Sequence, residues 1–277
     1  MLSSKITMII HAGLGNQLFM IFTALSKSID ENKDFSIYPI FNNGFRGYYF
    51  TTLFKKLLFK VENKIEDIQQ RNGYEEQVYH YNPIPKDAVV LKGYFQSPKY
   101  FDHNKNKIIE MLELDKYQNR YKFDFDAIMV HFRFGDFTIN QINHVQLTPL
   151  YYINAIKHLL NIVPDAKDKY KFIIFAEDGE EDLVDDYIEE IKKEIEINFI
   201  KIYEIYPKSK DYQDLMYMNS CKHFIIANSS FSWFGAYLSP NKDKKVLYPN
   251  VWFGPSLKDQ KNTKDLFPNN WIQINAI

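Results

Sequence analysis

Asn228-Ser229-Ser230-Phe231-Ser232-Trp233-Phe234-Gly235-Ala236 follows an apolar run, His223-Phe224-Ile225-Ile226-Ala227, and leads into a second apolar stretch. The first run has the length and composition of a buried strand; the second has the length of a short helix over Phe231 to Leu238. Serines at such a turn can cap the helix, and the free N–H groups of a helix start favour an anion. Asn228, Ser229, Ser230 and Phe231 are therefore candidate contacts to a phosphate-bearing ligand. Strand, turn and helix in this order build a parallel α/β sheet, which binds its ligands at the carboxyl ends of its strands.

The same alternation extends on both sides of this block. Upstream, strands are expected at Ala127 to Phe132, Lys171 to Ala176 and Asn198 to Ile202, with helices at Asp182 to Ile195 and Asp211 to Ser220. Thr148-Pro149 marks another helix start, an N-cap followed by proline at the first helical position. Downstream, Lys245 to Tyr248 reads as a last strand. Nearer the N-terminus, Lys5 to Ile10 reads as a buried strand, Asn16 to Ile29 as a helix and Val89 to Tyr94 as a strand. Residues 35–100 otherwise carry scattered aromatics and turn signals at Asn42-Asn43-Gly44, Asn72-Gly73 and Asn82-Pro83. The expected division falls near residue 125, giving halves 1–125 and 126–277.

The composition narrows the function. A hydrophobic fraction of 45% and a charged fraction of 25% describe a soluble globular chain. Lys+Arg 34 against Asp+Glu 35 gives no electrostatic support for a nucleic-acid partner, so any anion site must be local. Cys221 has no partner for an internal disulfide, no apolar run is long enough to span a bilayer, and the N-terminus lacks the pattern of a signal peptide. The expected location is cytoplasmic. Metal ligation is not expected, because no Cys/His cluster has zinc spacing and no Asp-x-Asp stands at a strand end.

Three further segments carry candidate chemistry, each at an expected strand end. Gly13-Leu14-Gly15-Asn16-Gln17 lets the backbone approach a ligand, and Asn16 can add an amide donor. Leu18 stands where a dinucleotide fingerprint needs its third glycine, and the Gly-Lys-Ser/Thr of a P-loop is absent. The alternative is a tight strand-to-helix turn with no ligand. In Val130-His131-Phe132-Arg133-Phe134-Gly135-Asp136, alternation puts His131 and Arg133 on one face. Arginine offers a planar donor fork suited to a diphosphate; the alternative is a structural Arg133–Asp136 ion pair beside a core histidine. After Phe175-Ala176, Glu177 or Asp178 could accept from a guanine edge or a ribose, or could only cap the following helix.

Taken in order, Gly-x-Gly-Asn-Gln, His-x-Arg-x-Gly-Asp, the acidic strand end and Asn-Ser-Ser-Phe-Ser-Trp-x-Gly-Ala resemble the α-1,2-fucosyltransferase family, glycosyltransferase family eleven. The resemblance runs from Ala12 to about Phe253 and includes Leu147-Thr148-Pro149-Leu150-Tyr151-Tyr152. It implies a GT-B-type α/β fold of two Rossmann-like halves with mostly parallel sheets, an acceptor-side N-terminal half and a nucleotide-sugar-binding C-terminal half. It also implies GDP-L-fucose as donor, an oligosaccharide acceptor, anomeric inversion and no cofactor or metal. Carried over by motif, Arg133 stabilises the leaving diphosphate and His131 lies against the nucleotide. Gly13, Gly15, Asn16, Gln17, Asn228, Ser229, Ser230 and Phe231 contact substrate, and Asp178, with Glu177, reads guanine. This chain departs from the family at Phe134, where a second arginine is usual, at Phe234, where a tryptophan is usual, and at Ala12, where glycine is common.

The expected reaction is a single displacement from GDP-β-L-fucose onto a glycan hydroxyl, O2 of a galactoside by family expectation. Its main catalytic contribution is charge stabilisation by Arg133 and backbone donors. Asp136 is a candidate general base, and His144 a candidate acceptor contact. Three other functions fit the motifs: transfer from another nucleotide sugar, an inactive glycan-binding relative with Phe134 as the lesion, and a nucleotide-binding regulator. Acceptor identity and oligomeric state, a homo-oligomer included, stay open at this level.

Overall fold

The computed structural model of the chain describes residues 5–41, 47–62 and 66–276, without the side chains at 66, 67, 136 and 139. The Asn42-Asn43-Gly44 turn lies outside the described residues. The chain forms two compact α/β units. The first runs to Tyr117 and regains Lys261–Pro268; the second comprises Gln118–Gln260 and the tail from Asn269. A single division near residue 125 cannot register that return. It is fixed by Asp265, whose carboxylate accepts from the Tyr81 N–H at 3.2 Å and whose carbonyl accepts from the Ser97 hydroxyl at 2.8 Å.

In the first unit, β1 (Ile6–Ile10), β2 (Phe35–Pro39), β3 (Gly73–Glu75) and β4 (Val90–Lys92) form a parallel sheet of order β2-β1-β4-β3. β1 is its buried centre, with Ile6, Met8 and Ile10 fully inaccessible. The helix Leu14–Glu31 follows directly and buries Leu18, Phe19, Phe22 and Leu25. That spacing places one apolar stripe toward the core. Asn32 ends the helix in the left-handed region at φ 50, which asparagine tolerates.

The second unit contains β5 (Ala127–His131), β6 (Lys171–Phe175), β7 (Phe199–Lys201), β8 (His223–Ile225), β9 (Val246–Pro249) and β10 (Ile272–Ile274). They pair in parallel in the order β10-β9-β8-β5-β6-β7. One core cluster joins Ile128, Val130, Phe132, Tyr152, Ile156, Ile174 and Ile188. Burying Phe132 alone is worth about 1.5–3 kcal/mol relative to leaving it in water. Thr148 precedes the helix Pro149–Ile162 in extended conformation, yet its side chain makes no capping bond; the proline sets the start.

The architecture is the expected two-unit α/β fold with parallel sheets. Its topology also defines where ligands belong. In the second unit the chain winds from β5 through β6 and β7 to one edge, then returns to β8 and winds to the other. The order therefore reverses between β5 and β8. In the first unit the chain runs from β1 to β2 at one edge, crosses to β3 at the other and steps back in to β4, so β1 and β4 are the central neighbours. Ligands of open α/β sheets bind outside the strand ends at such reversals.

Candidate active site

The reversal of the second sheet is flanked by the loops after β5, β6 and β8. β5 ends at His131, and pleating sends Phe132 into the core, 4.5 Å from the Tyr152 ring, while His131 and Arg133 take the other face. His131 is 5% exposed, and its Nδ1 has no hydrogen-bond partner among the described residues. Burial, helped by the Arg133 charge, pushes its pKa down to about 3. The imidazole is therefore neutral at physiological pH.

Arg133 is held from two sides, one of them braced by a further ring. Its Nη1 pairs with the Glu177 carboxylate, its guanidinium lies 5.0 Å from the Phe137 ring, and Phe137 stacks on His144 at 4.4 Å. Glu180 links the two loops beneath, accepting from the N–H groups of Gly135 and Glu177. Gly135 has φ +45, a conformation that favours glycine, and a Cβ there would stand 2.7 Å from Glu177 Oε2, so that carboxylate would have to shift. Glu177 is 47% exposed, so its pairing with Arg133 contributes at most about 1 kcal/mol to stability. What the pair fixes is the direction of the guanidinium.

These contacts bear on two expectations. Glu177, expected to read guanine, is committed to Arg133. The ion partner considered for Arg133 was Asp136, which opens the short helix Asp136–Ile139 and whose side chain lies outside the described residues. Asp178 is exposed on the loop after β6, as a ligand contact requires. Glu180 was not anticipated; a glutamate before a helix gives no local sign that it bridges two strand ends.

After β8, the Asn-Ser-Ser-Phe-Ser-Trp-x-Gly-Ala block divides its labour. Asn228 donates from Nδ2 to the carbonyls of Val145 at 2.8 Å and Trp252 at 3.1 Å, and its buried Oδ1 has no partner among the described residues. Ser229 caps the helix Ser230–Tyr237, accepting from the Phe231 N–H at 3.3 Å. Ser230 and Phe231 are half-buried, and the Phe231 ring lies 6.1 Å from that of His131. The rest is packing. Trp233 and Phe234 are fully buried, and a Cβ on Gly235 would meet Met218 Sδ at 2.8 Å, so glycine lets this helix close on Asp211–Ser220.

Phe134 does not face the site. It is 1% exposed, with its ring 4.8 Å from Tyr187 and 5.9 Å from Phe132. A core side chain there leaves the loop's charge to Arg133. Asp214, also not anticipated, receives the Ser209 hydroxyl at 2.5 Å; burial, with Asp178 and Asp211 adding to it, pushes its pKa up to about 7.

In the first unit, the turn after β1 places Ala12 in the left-handed region at φ 65, where glycine would be unstrained. Gln17, expected as a substrate contact, is fully buried and donates from Nε2 back to the Ala12 carbonyl at 2.9 Å. It clasps the turn from within. Gly15 is buried beneath it, whereas Gly13 and Asn16 are half-buried at its surface. His11 sets its ring edge-on to Tyr94 at 4.8 Å, and burial, with Lys92, lowers its pKa.

Among the described residues, no group of three or more His, Cys, Asp or Glu is placed to hold a metal ion, and no helix is long and apolar enough to cross a membrane. Residues 76–275 match the family described as Glycosyl transferase family 11. The chain is 26% identical over 270 residues to an alpha-1,2-colitosyltransferase of Escherichia coli, covering 82% of this chain and 84% of that protein. It is 24% identical over 180 residues to the O-antigen biosynthesis glycosyltransferase WbnK of Escherichia coli, covering 59% of this chain and 55% of that protein. Among solved structures, the fucosyltransferase NodZ from Bradyrhizobium matches with a TM-score of 0.43 at 10% identity, over 85% of this chain and 94% of that one.

Proposed function

The chain belongs to glycosyl transferase family 11, and we propose that the glycosyl group it transfers is L-fucose, taken from GDP-β-L-fucose and placed on O2 of a galactoside. The observation that carries this is Arg133, a cation fixed by Glu177 at the sheet reversal, with His131 beside it and the Ser229-capped helix start on the neighbouring strand. That set of donors suits a diphosphate.

The acceptor oxygen attacks C1 of the sugar on the face opposite GDP. The bond from C1 to the β-phosphate oxygen breaks, GDP keeps its electron pair, and the acceptor proton passes to a base. Inversion turns the β-linked donor into an α-linked product. Arg133 stabilises the charge growing on the diphosphate, exchanging part of its contact with Glu177 for phosphate oxygens. Neutral His131 gives the nucleotide a hydrogen bond without adding charge. Ser229, Ser230 and Phe231 line the phosphates, and Asp178 accepts from guanine. In the first unit, Gly13 and Asn16 contact substrate. Asp136 is the proposed base; His144 acts through the Phe137 ring. No metal takes part, so a chelator leaves the rate unchanged, and the protein works in the cytoplasm.

One relative supports a second donor. A protein with 26% identity is an alpha-1,2-colitosyltransferase, so a colitosyl group is the competing cargo. An inactive glycan-binding role is less well supported, since Phe134 packs in the core and Arg133 remains on the loop. Competition binding with GDP-fucose, GDP-colitose, GDP-mannose and UDP-galactose tests the donor. GDP-fucose should bind tightest; preference for GDP-colitose would establish the second reading, and preference for UDP-galactose would end both.

A further inference from the structure

Gln96 follows β4 and Asn16 follows β1, so the two lie beyond the carboxyl ends of the paired central strands of the first sheet. Gln96 is 8% exposed and spends both ends of its amide. Its Oε1 accepts from the Tyr79 hydroxyl, and its Nε2 donates to Asn16 Oδ1 at 2.6 Å. Turning the Gln96 amide over would reverse both bonds and, through them, the Asn16 amide as well. What decides between the two arrangements is Tyr79. The ammonium of Lys261 lies 5.2 Å from its ring centroid. A cation there draws density from the phenol, making it a better donor and a poorer acceptor.

With Tyr79 donating, the order is fixed along the row. Gln96 accepts from Tyr79 and donates to Asn16, so the Asn16 oxygen is occupied and its Nδ2 is left to donate elsewhere. Asn16 sits in the first turn of Leu14–Glu31, whose N-cap is Gly13 with no side-chain capping bond and whose first turn holds no acidic residue. Backbone N–H groups and the Asn16 Nδ2 then present donors alone. The reversed amide would put a carbonyl oxygen among them and repel the anion that the helix start favours.

We propose that Tyr79 and Gln96 are positioning residues that fix the polarity of the Asn16 amide, so that the glycine turn offers only hydrogen-bond donors to a substrate oxyanion. The oxyanion is a phosphate of the nucleotide sugar, and in that identification the proposal rests on the function proposed above.

Gln96→Glu and Gln96→Leu separate this role from a structural one. Glutamate keeps the shape and the bond from Tyr79 but cannot donate, so Asn16 must turn its Nδ2 inward and its oxygen toward the ligand. Leucine removes both bonds and lets Asn16 choose. Measured at about pH 8, where the new carboxyl is ionised, Gln96→Glu should raise KM for the nucleotide sugar and Kd for GDP about tenfold or more. Gln96→Leu should raise them only about threefold, with kcat changing less than KM in both. A packing role predicts the opposite ranking, because leucine loses more of the native contacts. Leucine worse than glutamate, or both equal to wild type, overturns the proposal. Thermal melting checks the fold. Should the buried carboxylate prevent folding, Tyr79→Phe must still weaken GDP binding by a few fold, and wild-type affinity in that variant overturns the proposal. Wild-type protein that binds pyrophosphate but not GDP-fucose removes the donor assignment and moves the variant ranking to pyrophosphate. Binding of neither ligand removes both.

Discussion

Asp214→Asn should make the protein more stable in mild base and leave it unchanged in acid. The carboxyl titrates near 3.8 when unfolded and is pushed up to about 7 in the fold, chiefly by burial. Between those values the native state holds a proton that the unfolded chain has lost, so stability falls as pH rises through the window. Above it, the fold carries the full cost of a buried carboxylate. A shift from 3.8 to about 7 corresponds to an upper limit of about 4 kcal/mol, and partial exposure reduces this to about 2. Asparagine keeps the shape and the Ser209 contact without the charge. His131 acts with the opposite sign: its pKa is pushed down to about 3, so the stability it contributes is lost as pH falls from 6.5. The profile of either protein alone therefore mixes the two groups, and the difference between them isolates Asp214. Urea unfolding followed by circular dichroism at matched pH values should show the variant equal to wild type near pH 4 and about 2 kcal/mol more stable near pH 8. A flat difference across that range, or a variant less stable at pH 8, would refute the assignment of the cost to the Asp214 charge.

Other substitutions probe the site and its frame. Gly135→Ala forces a side chain against Glu177 at a left-handed position, so kcat/KM should drop at least tenfold for a stability loss of about 1–2 kcal/mol; unchanged kinetics would mean that the Glu177 hold on Arg133 is dispensable. Phe134→Arg buries a cation beside Tyr187 and should cost more than about 3 kcal/mol in a denaturant melt, with no gain in GDP affinity. A stable variant binding GDP more tightly would put position 134 at the ligand instead. Ala12→Gly removes a left-handed alanine and should stabilise by up to about 1 kcal/mol without altering turnover; a lower melting temperature would contradict the strain.

The second unit was largely legible because its elements are long and its strands apolar. Asp211–Ser220 forms at the predicted bounds, and Ala127–His131, Lys171–Phe175 and His223–Ile225 lie within one or two residues of them. β2, β3 and β10 carried weaker signals. β2 ends in Pro39, β3 opens on Gly73 within an expected turn, and β10 has only Ile272 and Ile274 as apolar residues. All three are edge strands, where short and broken patterns are tolerated. At the site, the alternation that turned Arg133 outward also turns Phe134 inward with Phe132, so its burial could have been read from the sequence. The Gln96–Asn16 bond spans 80 residues and the Arg133–Glu177 pair 44, and no local pattern announces either. Gln17 was misleading for a different reason: beside two glycines, an amide that clasps the turn looks the same as one that reaches a ligand.

The most direct test of the account is product formation by purified protein given GDP-fucose and a panel of β-galactosides, read by mass spectrometry and GDP release, with Arg133→Ala alongside. The account predicts an acceptor that gains one deoxyhexose as GDP appears, and a folded Arg133→Ala protein that forms none. Appreciable transfer by that variant, or no transfer by wild type from any GDP-linked deoxyhexose, would contradict it.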